Sequence, residues 1–189
     1  MKKIIILTLI ILSLSSFAYA RVSFDMKLSA PFNTVEDRDS YSELSKRFMD
    51  GFGAYRNRGH LHSAQDIKGD YGEAVYPVYD GVVVDIWGKF PYKTLAIMHT
   101  DNNRRVFYTS SVHLGEAYVE AGDYVTKNTK IGRLLTREEQ KRAYYSKVHL
   151  HLEFRKSIIN KRVSAKCYTI EQLLVYFYDT QPIFKKHMN

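Results

Sequence analysis

A mainly β fold, an antiparallel open barrel or sandwich with short flanking helices, is predicted by three observations. From Val75 onward the apolar residues recur at period two or in short runs, the spacing of half-buried and buried strands. Turn signals at Asp80-Gly81, Gly88, Pro91 and Asp101-Asn102-Asn103 separate these runs at the intervals of an all-β meander. Capping boxes, a Ser or Thr followed three residues later by Glu or Gln, stand on either side of that region, at Ser40 to Glu43 and at Thr169 to Gln172.

Taken in order, the chain begins with Lys2 and Lys3, an apolar run from Ile4 to Leu14, and Ala18-Tyr19-Ala20. This is the pattern of a secretory signal peptide over residues 1–20, cleaved before Arg21, with an apolar run too brief to span a bilayer. No Cys follows the run to carry a lipid. The mature domain is therefore expected to be exported to the periplasm, the cell envelope or the medium, without a stable membrane anchor. Residues 21–50 form a lead-in segment, in which Met26 to Phe32 reads as an extended piece stopped by Pro31 and the first capping box opens a helix through about Met49. That segment is short for a separate regulatory domain but long enough to cover a groove.

A β domain is expected over residues 51–158. Its strands read as Val75 to Val78, Gly81 to Trp87, Thr94 to His99 and Arg105 to Thr109, followed by a pair, Val119 to Val125 and Lys130 to Gly132, joined through a Gly-Asp turn. Asn128 is expected in the left-handed conformation that Gly usually fills. The run Arg137-Glu138-Glu139-Gln140-Lys141-Arg142 favours a helix, either a solvated face or one wall of a cleft. Residues 159–189 supply a C-terminal helix, expected from the second capping box through Tyr178 and packed on the sheet, and then a frayed tail from Lys185.

The chain has 189 residues and a formal net charge of +8. Without Lys2 and Lys3 the balance is 26 Lys and Arg against 20 Asp and Glu, or +6. Such a domain suits an anionic polymer of the cell wall, and simple solubility explains the charge as well. No compact Lys/Arg run with interleaved aromatics argues for nucleic acid. Cys167 is the single Cys, so no internal disulfide can form and packing or a metal must hold the fold.

The chemistry-bearing residues are histidines. In a strand Val148 to Phe154, His149 and His151 project from one face while Val148, Leu150 and Leu152 enter the other. One imidazole of such a pair can hold a metal ion while its neighbour handles protons; a solvent-facing pair has the same spacing. His62 and Asp66 lie four residues apart in a stretch where Gly59, Gly69 and Gly72 leave too short a run for a helix, so a loop entering a strand is expected. They can share a divalent ion or simply hydrogen-bond in a core. His60 is the competing ligand there, His99 reads as a surface residue at the edge of a polar turn, and an isolated His beside Leu, as at His113-Leu114, is usually structural.

Together these stretches resemble the lysostaphin-type (LytM-like) zinc metallopeptidases, which cut peptidoglycan cross-bridges. The resemblance rests on His62-Ser63-Ala64-Gln65-Asp66, then His113-Leu114, then His149-Leu150-His151, in that order. It extends from about Phe52 to Arg155 and takes in Phe52-Gly53-Ala54-Tyr55-Arg56, Val78 to Val83 and the Gly122 to Gly132 region. It implies the family's duplicated hybrid β motif, shared with glucose-permease domains, and one Zn²⁺ ion bound by His62, Asp66 and His151. It further implies that His149 handles the protons of the attacking water and leaving amine, and that His113 stabilises the oxyanion.

The sequence departs from the family pattern at Ala64, where Gly is usual, at residues 143–148, where a Gly- and Pro-containing turn is usual, and at Leu152, where Phe is common. These departures bear on the groove more than on the metal ligands. Two other readings use the same residues: a non-catalytic module that binds wall or activates an amidase, and a β protein with a closed, purely structural zinc.

Overall fold

The computed structural model describes residues 24–57, 59–144 and 147–189. The leader expected over residues 1–20 lies outside them, as do Tyr145 and Ser146 of the departing segment before His149. Among the described residues no helix is long and apolar enough to cross a membrane.

The expected class is what the chain adopts: an open, mostly antiparallel sheet with a few short helices. The strands are β1 (Gln65–Lys68), β2 (Ala74–Val75), β3 (Gly81–Trp87), β4 (Lys93–Thr100), β5 (Val106–Ala117), β6 (Tyr124–Val125), β7 (Gly132–Leu134), β8 (His149–Arg155) and β9 (Phe177–Tyr178). Their main order is β1-β8-β5-β4-β3-β6, with β7 bridging β2 and β5 and β9 extending β8. The helices are α1 (Tyr41–Ser45), α2 (Arg137–Ala143), α3 (Ile170–Tyr176) and α4 (Thr180–His187), with a 3-10 turn at Val163–Lys166. Strand β8 thus lies between β1 and β5, and its Leu150, Leu152 and Phe154 are buried in one core with Ile67, Phe107 and Phe184.

Several elements differ from expectation because remote partners override local propensity. Helix α1 stops at Ser45 rather than Met49. The following residues run beside β1 instead: Lys68 N–H donates to the Arg47 carbonyl, Met49 N–H to that of Asp66 and Asp66 N–H to that of Asp50, so the outer edge of β1 is covered. The expected strand Val75 to Val78 keeps only its start, since Pro77 has no N–H for a ladder. Strand β5 runs on to Ala117. Val119 to Val125 is not a strand paired with Lys130 to Gly132: Asp123 N–H bonds the Glu120 carbonyl in a turn, and β6 pairs with β3. Asn128 is not left-handed; among the described residues the non-glycines with positive φ are Arg104, His113 and Tyr144.

The expected C-terminal helix divides. Helix α3 ends at Tyr176, and Phe177-Tyr178 becomes β9, which pairs with Arg155 and Phe154 where β1 has run out. Helix α3 packs less on the sheet than on a small cluster of Leu173, Cys167 and Phe177. Nor is there a frayed tail. Asp179 caps α4, Pro182 falls in its first turn, where a missing N–H is harmless, and Phe184 is fully buried. Beyond it the Tyr41 N–H donates to the Asn189 carbonyl at 2.8 Å. The lead-in segment shares this core through Phe24, Met26, Leu28 and Phe32.

His99, read from sequence as a surface residue, is buried to 1% exposure. The β4-β5 ladder continues through Thr100 opposite Val106, so the polar turn begins only at Asp101. Its Nδ1–H donates to the Asp80 carbonyl at 2.9 Å, and its Nε2 accepts from the Thr109 hydroxyl at 2.8 Å. Burial lowers the imidazole to about 4 from its ordinary 6.5. The unfolded chain therefore binds this proton first, and the stability held by a neutral His99 is intact above about pH 6.5 and lost as the pH falls towards 4. Between pH 7 and pH 5 the expected loss from this one group is about 2 kcal/mol. Urea unfolding at both pH values should show it, with a smaller difference in a His99→Gln variant; an equal difference in the two proteins would refute the assignment.

Candidate metal centre and cleft

The site is built on the edge where β1, β8 and β5 meet. On β8 the strand period puts His149, His151 and Glu153 on the face opposite the buried leucines, and all three line one cleft of about 1350 Å³. The β1-β8 register sets Asp66 directly across from His151 and Lys68 across from His149. His62 comes from the loop before β1. That loop is fixed by its backbone: His62 N–H donates to the Ala54 carbonyl and Gly53 N–H to that of His62, both at 2.8 Å. Gly53 can make this turn because its φ of +80° carries no side-chain penalty.

Three donor atoms converge there. His62 Nε2 and His151 Nδ1 are 3.0 Å apart, His151 Nδ1 and Asp66 Oδ1 3.0 Å, and His62 Nε2 and Asp66 Oδ1 3.1 Å. Ligands at 2.0–2.1 Å around a tetrahedral zinc stand about 3.3 Å from one another, so the triangle fits such an ion with a small expansion. Among the described residues this is the one cluster of three or more His, Cys, Asp or Glu side chains spaced to hold a metal ion. His60, the competing ligand, lines the same cleft but is not in the cluster.

Each converging side chain is also held from behind. His62 Nδ1–H donates to the Gly51 carbonyl at 2.9 Å, which leaves the Nε2 lone pair for the cluster. His151 Nε2 faces Glu153 Oε1 at 3.5 Å, and Glu153 in turn accepts from the Ser63 hydroxyl at 2.7 Å and pairs with Arg155. Arg56 holds the second oxygen of Asp66 at 2.6 Å and Asp50 at 2.7 Å. Such contacts fix tautomer and orientation around metal ligands.

The charges follow from these contacts. Burial tends to raise the Asp66 carboxyl, yet hydrogen bonds from His151 and His62 outweigh it and hold the group well below the usual range. Burial lowers His62. Burial works in the same direction on His151, but Asp66 and Glu153 overcome it and raise that ring to about 9.

His149 and His113 line the same cleft beside this cluster. His149 Nδ1–H donates to the Lys147 carbonyl at 3.0 Å, and its Nε2 lies 3.8 Å from Asp66 Oδ2. His113 faces it with ring centroids 4.9 Å apart and lies 5.9 Å from His151. Its position comes from a β-bulge. Lys93 pairs with Leu114 and Thr94 with Val112, so His113 is the extra residue, held at φ +68°, and the bulge re-aims its ring into the cleft. His113 Nδ1–H donates to the Pro91 carbonyl at 3.0 Å, so the neutral ring carries its lone pair on Nε2. Burial, reinforced by His151 and His149, lowers it to about 3.

The five residues to which the family resemblance gives a role, His62, Asp66, His113, His149 and His151, therefore line one cleft. Arg56, Glu153 and Ser63 had no role in that reading. Glu153 was legible in principle, since it lies two residues past His151 and so on the same strand face; Arg56 and Ser63 depend on contacts made across the fold. Helix α2 forms as expected, with its own capping box at Thr136 and Glu139 and no buried residue. It is a solvated helix rather than a cleft wall, touching the rim where Arg142 lies over Phe90. Ala64 is fully buried, and Tyr144 is 94% exposed, so Tyr144 neither packs nor closes the groove.

An open, mostly antiparallel sheet of this kind is the fold of known peptidase catalytic domains. The catalytic domain of the antimicrobial peptidase lysostaphin from Staphylococcus simulans superposes with a TM-score of 0.53 at 22% identity, over 77% of this chain and 98% of that one. LytU superposes with a TM-score of 0.53 at 21% identity, over 74% and 85%. In the solution structure of lysostaphin the match spans 50% of that chain. Comparison with curated proteins gives no match. The profile of Peptidase family M23 matches residues 60–165, which hold all five converging side chains, and the chain belongs to that family.

Proposed function

We propose that this protein is an exported, zinc-dependent endopeptidase that hydrolyses the peptide cross-links of bacterial peptidoglycan. The observation that carries the reading is the meeting of His62 Nε2, Asp66 Oδ1 and His151 Nδ1 within 3.1 Å, with no fourth His, Cys, Asp or Glu of the described residues in the cluster and a cleft opening beside it. A closed structural site would use a fourth protein ligand instead of that opening. Membership of a peptidase family and the fold of lysostaphin's catalytic domain favour a peptide amide as the bond. The pattern of residues 1–20 supports export.

His62, Asp66 and His151 would hold the ion. When bound, it supplies Lewis acidity, bringing the pKa of a water down to roughly 7 and polarising the scissile carbonyl. The protein's own residues do the rest. His149, its Nδ1–H tied to Lys147, offers the Nε2 lone pair to the proton of the attacking water and later returns that proton to the leaving amine. His113, its Nδ1–H held by the Pro91 carbonyl, stabilises the oxyanion as an imidazolium, Nε2 taking up the extra proton from bulk water through the cleft. Burial disfavours that form at rest, and the developing negative charge favours it, so the interaction strengthens where the reaction needs it.

Arg56 keeps Asp66 turned so that only Oδ1 faces the other two donors. An Arg56→Gln variant is expected to bind zinc about 10–100-fold more weakly, the range for loss of a contact behind a metal ligand. Competition with a chromophoric chelator measures it, and unchanged affinity would show that Asp66 needs no such support. The function itself is tested by digesting purified sacculi with and without chelator and identifying products by mass. Release of peptide fragments from cross-linked muropeptides, abolished by chelator and restored by Zn²⁺, is expected. Intact cross-links with the metal-loaded protein would end the proposal.

A further inference from the structure

The cleft is unevenly charged. Its acids are all engaged: Asp50 and Asp66 by Arg56, and Glu153 by His151, Arg155 and Ser63. Its cations are not. Lys161 pairs with Asp85 and lies over the Trp87 ring, but Lys89, Lys147 and Arg162, all lining the cleft, form no ion pair with any described residue. Lys161 and Arg162 form one stretch of its wall, just before the 3-10 turn. A smaller adjoining cavity of about 510 Å³ is lined by Lys161, Arg162 and Lys166 together with Ile159 and Tyr176, so Lys161 and Arg162 border both spaces. From Arg155 to Ile170 the chain contains five Lys or Arg and no acid.

A cleft whose acids are all engaged and which is lined by three cations without an ion pair to any described residue is complementary to a ligand carrying negative charge beside the bond that is cut. A guanidinium is suited to this task, since its fork matches a carboxylate bidentately. We propose that Arg162 is the centre of a carboxylate-binding subsite, supported by Lys89 and Lys166, and that the cross-link taken here bears a free carboxylate, as on a diamino dicarboxylic acid, rather than being a bridge of neutral residues. The proposal rests on the peptidoglycan reading and narrows its substrate. Arg162 is a specificity residue and takes no part in the chemistry.

Trp87, the single Trp of the chain, lines the cleft beside this wall and reports binding by its fluorescence. The metal-free protein is titrated with two synthetic stem peptides, identical except that the side-chain carboxylate of the diamino acid is free in one and amidated in the other. The free acid is expected to bind about tenfold more tightly, the change a charge-assisted contact gives. In Arg162→Gln the ratio is expected to fall to about twofold, with zinc affinity unchanged, and Lys89→Gln should lower it by a smaller factor. Equal binding of the two peptides by the wild type, or full discrimination retained in Arg162→Gln, overturns the proposal. Saturation by a glycerol-phosphate oligomer and by neither peptide also overturns it, in favour of a phosphate ligand. Cleavage of both forms by the zinc-loaded protein at equal kcat/KM would remove the subsite and leave the peptidase intact, whereas discrimination in binding without cleavage of either would remove the peptidase and leave the subsite.

Discussion

A His151→Ala variant is expected to lose bound zinc and peptidase activity together, with activity reduced by roughly a thousandfold or more, since both the Lewis acid and the activated water depend on the ion. The physical basis is the position of its Nδ1, 3.0 Å from both His62 Nε2 and Asp66 Oδ1. Removing it leaves two donors where a tetrahedral catalytic site uses three. Elemental analysis of the purified variant, read beside the sacculus digestion, measures both effects. The fold is not expected to collapse, because the strand is anchored by Leu150, Leu152 and Phe154 on its other face. Near-stoichiometric zinc in the variant would show that another residue completes the site.

Replacing His149 with alanine should give the opposite pattern for the metal. His149 Nε2 stands 3.8 Å from the far oxygen of Asp66 and outside the three-donor cluster, so zinc content is expected to stay near that of the wild type. Activity should fall by about 10²–10⁴-fold, the usual worth of a positioned acid or base. A variant as active as wild type would move the proton-handling role to His113, whose Nδ1–H is likewise held by a carbonyl and whose lone pair likewise lies on Nε2. The two variants together separate imidazoles that stand two residues apart on one strand.

Much of the site could be read from the sequence because it sits on a strand. The alternation of His149, Leu150, His151 and Leu152 needs no partner to fix which side chains share a face. Glu153 follows by the same rule. Asp66 was legible as a neighbour of His62 in a segment too glycine-rich for a helix, and β1 begins one residue before it. The errors fall where local pattern gave way to long-range pairing. Lys46 to Met49 continue a helical pattern but are drawn alongside β1. Phe177-Tyr178 continues another but completes the edge of β8. His99 borders a polar turn in sequence, yet the ladder extends one residue past it and buries it.

What the sequence by itself determined is the set of faces: which residues look into a common space, where the turns lie, and that the domain is basic. Those properties follow from the pleat of a strand and the chemistry of single residues, which are local. What the tertiary structure alone shows is how the facing groups that the family resemblance named come to meet. The antiparallel register sets Asp66 opposite His151 rather than His149, which makes one imidazole a candidate ligand and leaves the other beside it. A one-residue bulge turns His113 out of its strand's alternation and into the cleft. The contacts of Arg56 engage both Asp50 and Asp66, the acids of the cleft beside His62. Register, bulges and ion pairs are set by partners tens of residues away, and no local period encodes them.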